Sequence, residues 1–195
     1  MRHAPVLTLA VGLLCGALAA SAGAAGPSPQ AASKPAQDVA DKTAISPAAI
    51  AAAPATPDQF RQLLTQQRGS VVILNVWGTW CVPCLREIPE LVKLQRDLAD
   101  KGVALIGLSM DEASSIGPMV EPFRQKYFPA FRTYVRNSPD MDSMVSVVDS
   151  AWNEILPTTY ILDRQGRVAR KIQGVKTYDE FRTMVLAVAE PAGAS

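Results

Sequence analysis

Cys81 and Cys84 face each other across two residues in the stretch WGTWCVPC (residues 77–84), with Trp77 and Trp80 before the pair and Pro83 inside it. Thiols at this spacing exchange between dithiol and disulfide by attack of one sulfur on another. The preceding run, VVILNVW (Val71 to Trp77), is apolar over a strand's length, the pattern of a strand covered on both faces. A helix is expected from about Val82, which puts Cys81 at a helix N-terminus. Unpaired backbone N–H groups and the aligned peptide dipoles favour a thiolate there. Cys81 is therefore the expected nucleophile. Cys84, one turn further in, is the resolving thiol that breaks a mixed disulfide and releases the partner. Pro83 suits the first helical turn, where its missing N–H costs nothing. A purely structural role is set aside, because a bridge closing so small a loop constrains little of the unfolded chain.

The elements that must hold this pair can be followed along the 195 residues. Residues 1–24 have a basic start (Arg2, His3), an apolar stretch from Ala4 to Ala20 and A-x-A spacings at Ala20 to Ala24, a signal peptide or N-terminal anchor. Removing this segment takes away Arg2, His3 and Cys15, moves the formal charge from +1 to 0, and leaves Cys81 and Cys84 as the only thiols of an exported chain. With no basic excess, a nucleic-acid partner has no electrostatic support. Residues 25–56 are rich in Ala, Pro, Ser and Gln without periodicity, which predicts a flexible linker. The folded domain is expected over 57–190.

Thr56 and Pro57 open a helix that Gly69 stops. The helix after Cys81 is expected to run to Asp100, with Leu85, Ile88, Leu91, Val92, Leu94 and Leu98 inward, and VALIGLSM (Val103 to Met110) forms a second strand parallel to the first. A helix over 117–127, an extended piece over 131–135 and a helix through MDSMVSVVD capped by Ser138 and Pro139 are expected next. PTTYILD and VARKIQG flank the turn Asp163 to Gly166 as a hairpin. Thr177 and Glu180 form a capping box for a last helix whose inner face is Phe181, Met184, Val185 and Val188. The fold class is α/β, a mixed central sheet flanked by helices.

WGTWCVPCLREIPEL, the preceding VVILNVW and the later LPTTYILDRQGRV resemble, in that order, the exported TlpA/ResA-like thiol-disulfide oxidoreductases of the thioredoxin fold. The resemblance covers roughly Ser70 to Ala189. It implies that Pro157 is a cis-proline facing the disulfide, that the Leu156 backbone offers hydrogen bonds to a substrate segment, and that Thr158 helps shape the pocket. It also implies a proton-handling role for Glu87, three residues after Cys84, and matches the Asn75 of that branch. Trp80 is expected to form an apolar wall at the contact surface and Trp77 to be core. No chemistry is assigned to Trp152, Met141 or Met144.

The expected function is an exported reductant of client protein disulfides, in cytochrome c maturation for example, recharged by a membrane electron donor, in an extracytoplasmic compartment such as the bacterial periplasm. The Val-Pro pair between the cysteines brings no cation or histidine to stabilise a thiolate, and strong oxidants need that stabilisation. The alternatives are a disulfide oxidase or isomerase, a copper-binding metallochaperone and a thiol peroxidase. A single Cys-x-x-Cys without histidine supplies only two soft ligands, so no metal and no cofactor are expected.

Overall fold

A computed structural model of the chain describes residues 50–190. The elements in chain order are β1 (Ala53–Ala55), α1 (Pro57–Gln66), β2 (Val71–Trp77), α2 (Val82–Asp97), β3 (Val103–Glu112), α3 (Glu121–Tyr127), β4 (Thr133–Arg136), α4 (Asp142–Val145), β5 (Thr158–Leu162), β6 (Val168–Gln173) and α5 (Tyr178–Ala189). They form a six-stranded sheet in the order β1-β4-β3-β2-β5-β6. β2, β3, β4 and β1 run parallel, while on the other side of β2 the strand β5 runs antiparallel to it and β6 antiparallel to β5.

All seven residues of β2 are buried, because helices cover both faces of the sheet. Side-chain alternation splits them into two cores. Val71, Ile73 and Trp77 join Ile88, Leu91 and Leu94 of α2 and Phe181 and Val185 of α5. Val72, Leu74 and Val76 join Phe60 and Leu64 of α1 and Met144 and Val145 of α4. Asn75 falls by its odd number on the α2 face, where it is fully buried.

The leader and most of the linker, residues 1–49, lie outside the described residues. Ala53–Ala55, inside the stretch whose composition suggests a flexible linker, instead form the edge strand β1, paired in parallel with Tyr134, Val135 and Arg136. Ala55 is buried in the α1 face of the core, a long-range contact that composition does not register. α1 opens on a capping box in which Thr56 Oγ1 accepts from Gln59 N–H and Gln59 Oε1 accepts from Thr56 N–H. α2 stops at Asp97, and residues 99–101 tighten into a 3-10 turn that ends at Gly102, in the left-handed region with φ 68°.

The middle segment departs most from expectation. The helix through MDSMVSVVD shrinks to the single turn Asp142–Val145, and Ser138 does not cap it. Asp140 takes that place, its Oδ1 accepting from Ser143 N–H at 2.7 Å, while the Ser138 hydroxyl donates to the Asp140 carbonyl. A π-helical turn, Ile116–Val120, leads into α3.

Trp77 ends β2 among Phe123, Phe128 and Phe131, with ring centroids 5.7–6.4 Å away, and its indole N–H donates to Thr133 Oγ1 at 2.9 Å. Gly107 makes room for this cluster. A Cβ at Gly107 would lie 2.5 Å from Phe131 Cζ and 2.7 Å from Thr133 Oγ1. Gly107→Ala is therefore expected to destabilise the domain by about 1–3 kcal/mol through overpacking. Urea denaturation should register this as a lower midpoint at unchanged slope.

Candidate active site

The strand-to-helix junction after β2 builds the site. Cys81 is the N-cap residue of α2, and its Sγ accepts from Cys84 N–H at 3.3 Å. Cys81 and Cys84 are joined in a disulfide with Cα atoms 5.3 Å apart. Cys84 is wholly buried and Cys81 keeps 5 % exposure, so solvent reaches the bridge from the Cys81 edge. That edge is narrower than an open nucleophile at a helix tip would present. Around it Trp80 is 60 % exposed and Val82 58 % exposed, and Pro83 is also at the surface. Gly78 lets the Trp80 indole fold back, since a Cβ there would lie 2.8 Å from Trp80 Cε2.

Beneath the bridge lies a polar cluster in an apolar core. Glu87, three residues after Cys84 on α2, is fully buried. The β2–β5 register pairs Asn75 with Thr159. Asn75 Nδ2 donates to Glu87 Oε1 at 3.1 Å and to Thr159 Oγ1 at 2.9 Å, and the Thr159 hydroxyl donates to Glu87 Oε1 at 2.7 Å. Among the described residues Glu87 Oε2 and Asn75 Oδ1 find no hydrogen-bond partner. Burial pushes the Glu87 carboxyl from 4.5 up to about 7, and the Thr159 hydroxyl and the backbone and charge of Lys176 offset only part of that rise. A carboxyl that changes charge near neutral pH is suited to giving and taking protons.

The Leu156–Pro157 peptide bond is cis, as the resemblance implies. Pro157 is buried, its carbonyl accepts from Gly174 N–H at 3.0 Å, and Leu156 packs against the cluster that contains both cysteines. Thr158 spends its hydroxyl on the loop before it, donating to the Ile155 carbonyl at 2.6 Å and accepting from Trp152 Nε1 at 3.3 Å. Trp152 thus has a packing role. Thr159, which the sequence reading passed over, is the threonine that touches Glu87. Strand alternation sends Thr158 and Thr159 to opposite faces, but only the register with β2 tells which face holds Glu87.

The AhpC/TSA family matches residues 50–171, more than half of the chain, from just before β1 into β6. The chain belongs to the AhpC/TSA family. Within it the chain is similar to the thiol-disulfide oxidoreductase ResA of Bacillus thuringiensis subsp. konkukian, 31 % identical over 114 residues that make up 58 % of this chain and 61 % of that protein. The ResA of Geobacillus thermodenitrificans is 31 % identical over 119 residues, 61 % of this chain and 63 % of its own length. The chain thus spans less than two thirds of these curated relatives. A thioredoxin-family thiol:disulfide interchange protein from Chlorobium tepidum superposes with a TM-score of 0.54 over 64 % of this chain and 83 % of its own, at 22 % identity. That likeness establishes the thioredoxin-like fold. Among the described residues no helix is long and apolar enough to cross a membrane.

The raised Glu87 pKa has a sign for stability. The folded state holds the proton between pH 4.5 and about 7 while the unfolded state has released it, so stability falls as pH rises through that window. Relative to wild type, Glu87→Gln should gain about 3 kcal/mol of unfolding free energy from pH 4.5 to pH 7. Urea titrations of the disulfide form at the two pH values check it, and a constant difference would mean that folding leaves the Glu87 pKa at its ordinary value.

Proposed function

We propose that the chain is a thiol-disulfide oxidoreductase that reduces disulfides of client proteins through Cys81 and Cys84. The observation that carries this reading is the disulfide at the start of α2 with Glu87 buried on the same helix and its carboxyl pushed up to about 7. In the reduced pair, the Cys81 thiolate attacks the client disulfide, one client sulfur leaves, and a mixed disulfide forms. Cys84 then attacks Cys81, and the second client sulfur departs. Each leaving sulfur needs a proton and Cys84 must lose one, and Glu87 is the group assigned to that exchange. Trp80, Pro83 and the Leu156–Pro157 segment form the proposed client-contact surface, and the buried Thr158 braces that segment from within by donating to the Ile155 carbonyl.

The reducing direction is supported by what lies near Cys81. The two intervening residues are Val82 and Pro83, so no cation stabilises the thiolate from within the motif. The clients are cysteine-bearing proteins, apocytochrome c awaiting haem attachment among them, and the pair is recharged by a membrane electron donor. The apolar leader supports action outside the cytoplasm, in a periplasm, with the leader cleaved or kept as a tether. A disulfide oxidase is the competing direction.

Cys84→Ser should accumulate mixed disulfides with clients through Cys81, and Cys81→Ser should accumulate few. Non-reducing gels of extracts from the native compartment, followed by identification of the captured chains, check the assignment. Equal trapping by both variants would contradict it. In stopped-flow exchange with a model disulfide, the wild type should show an inflection near pH 7 and Glu87→Gln should lack it.

A further inference from the structure

Behind the Cys81 loop lies a second buried acid that the exchange chemistry above does not use. Asp111, near the end of β3, is 7 % exposed. Its Oδ2 accepts from Thr79 N–H at 2.9 Å and from the Ser109 hydroxyl at 2.6 Å, and its Oδ1 accepts from the Thr79 hydroxyl at 2.7 Å. The Ser109 oxygen in turn accepts from Asp111 N–H at 3.1 Å. Both carboxylate oxygens act as acceptors in this network. Among the described residues no lysine or arginine forms an ion pair with it. The anion thus grips Thr79 by main chain and side chain. Thr79 is two residues from Cys81, at most about 7 Å between Cα atoms.

We propose that Asp111 is a positioning residue for the exchange reaction, one that fixes the Gly78–Trp80 loop and sets a negative charge beside Cys81 so that its thiol stays protonated to higher pH. The proposal rests on Cys81 being the attacking sulfur. Two consequences follow from the geometry. The grip on Thr79 holds the segment over which Trp80 folds back onto Gly78. The charge opposes the helix N-terminus, which by itself favours the thiolate. A less stable thiolate means a less stable dithiol relative to the disulfide, hence a more reducing pair. The other ionisable groups of this region are Cys84 and Glu87 on α2, Lys176 in the segment after β6, and beside Asp111 itself Glu112 and the buried Arg136, which pair at 3.6 Å while Arg136 Nε donates to the Met110 carbonyl; Asp111 variants leave all of them in place.

Charge and grip separate experimentally. Asp111→Asn and Asp111→Ser remove the charge, whereas Thr79→Val keeps it and removes only the hydroxyl contact. The readout is the rate of iodoacetamide alkylation of Cys81 in the reduced protein as a function of pH. In both neutral variants the midpoint should move to lower pH, with about tenfold more thiolate below it and, after the accompanying loss of nucleophilicity, a rate about threefold higher. Thr79→Val should leave the midpoint where it is in the wild type. A rate that rises equally at every pH with a fixed midpoint would reduce Asp111 to a structural brace and overturn the proposal, as would a midpoint that moves up. Thermal melting of each variant identifies any that fails to fold, and the remaining neutral variant then decides. Equilibration of the wild type with glutathione tests the underlying reading separately. There two glutathione thiols are oxidised to one glutathione disulfide as the Cys81–Cys84 bond takes two electrons and two protons. A wild-type pair that does not exchange sinks the oxidoreductase reading. A pair that exchanges while its alkylation midpoint ignores Asp111 sinks only the role given to Asp111.

Discussion

Burial of β2 on both faces is the constraint from which the rest of the molecule takes its order. A strand with all seven side chains inside needs a neighbour on each side, here the parallel β3 and the antiparallel β5, and helices over both faces. Its carboxyl end is then the first place where the chain reaches the surface, and the turn into α2 occurs there. The bridge therefore sits at the junction of the rigid core and solvent, with one sulfur at the rim and the other sealed beneath it. A loop in the same place would leave both sulfurs free to move. The strand-to-helix junction gives each a fixed and different environment.

The same burial makes the polar cluster costly. A carboxyl group inside an apolar core must be neutral, paired or well hydrogen-bonded. Asn75 and Thr159 supply donors to one oxygen of Glu87 and leave the other bare. Partial satisfaction of this kind holds a carboxyl near the midpoint of its titration, where full satisfaction would fix its charge. Asp111 is the contrasting case: nearly as enclosed, but with both oxygens accepting hydrogen bonds, near the carboxyl end of the interior strand β3. Two acids on neighbouring elements thus sit in different hydrogen-bonding environments, one with an oxygen left bare and the other with both oxygens accepting.

Much of this was legible in the sequence, for identifiable reasons. VVILNVW announces a two-faced strand because no position in it except Asn75 is polar, and Thr177 with Glu180 announces a helix start because the capping box is a local arrangement. The cysteines, Pro157 and Glu87 were visible through spacing and through resemblance to a known group of proteins. What could not be seen depended on contacts distant in sequence. Ala53–Ala55 become a strand only because β4 lies alongside, and Thr159 enters the site only through its register with Asn75. The grip of Asp111 on Thr79 joins residues 32 positions apart and leaves no local pattern. The segment over 138–149 failed for the opposite reason, since its turn-forming residues offer several local solutions and the Asp140 side chain decides among them.

The two outermost strands carry a further implication. β1 is three residues long and contains Pro54, and β6 projects Arg170 and Lys171 from a largely exposed strand. Short length, proline and positive charge are the features by which sheets avoid recruiting foreign strands. Among the described residues neither border of the sheet offers a long, flat template on which another chain could extend it.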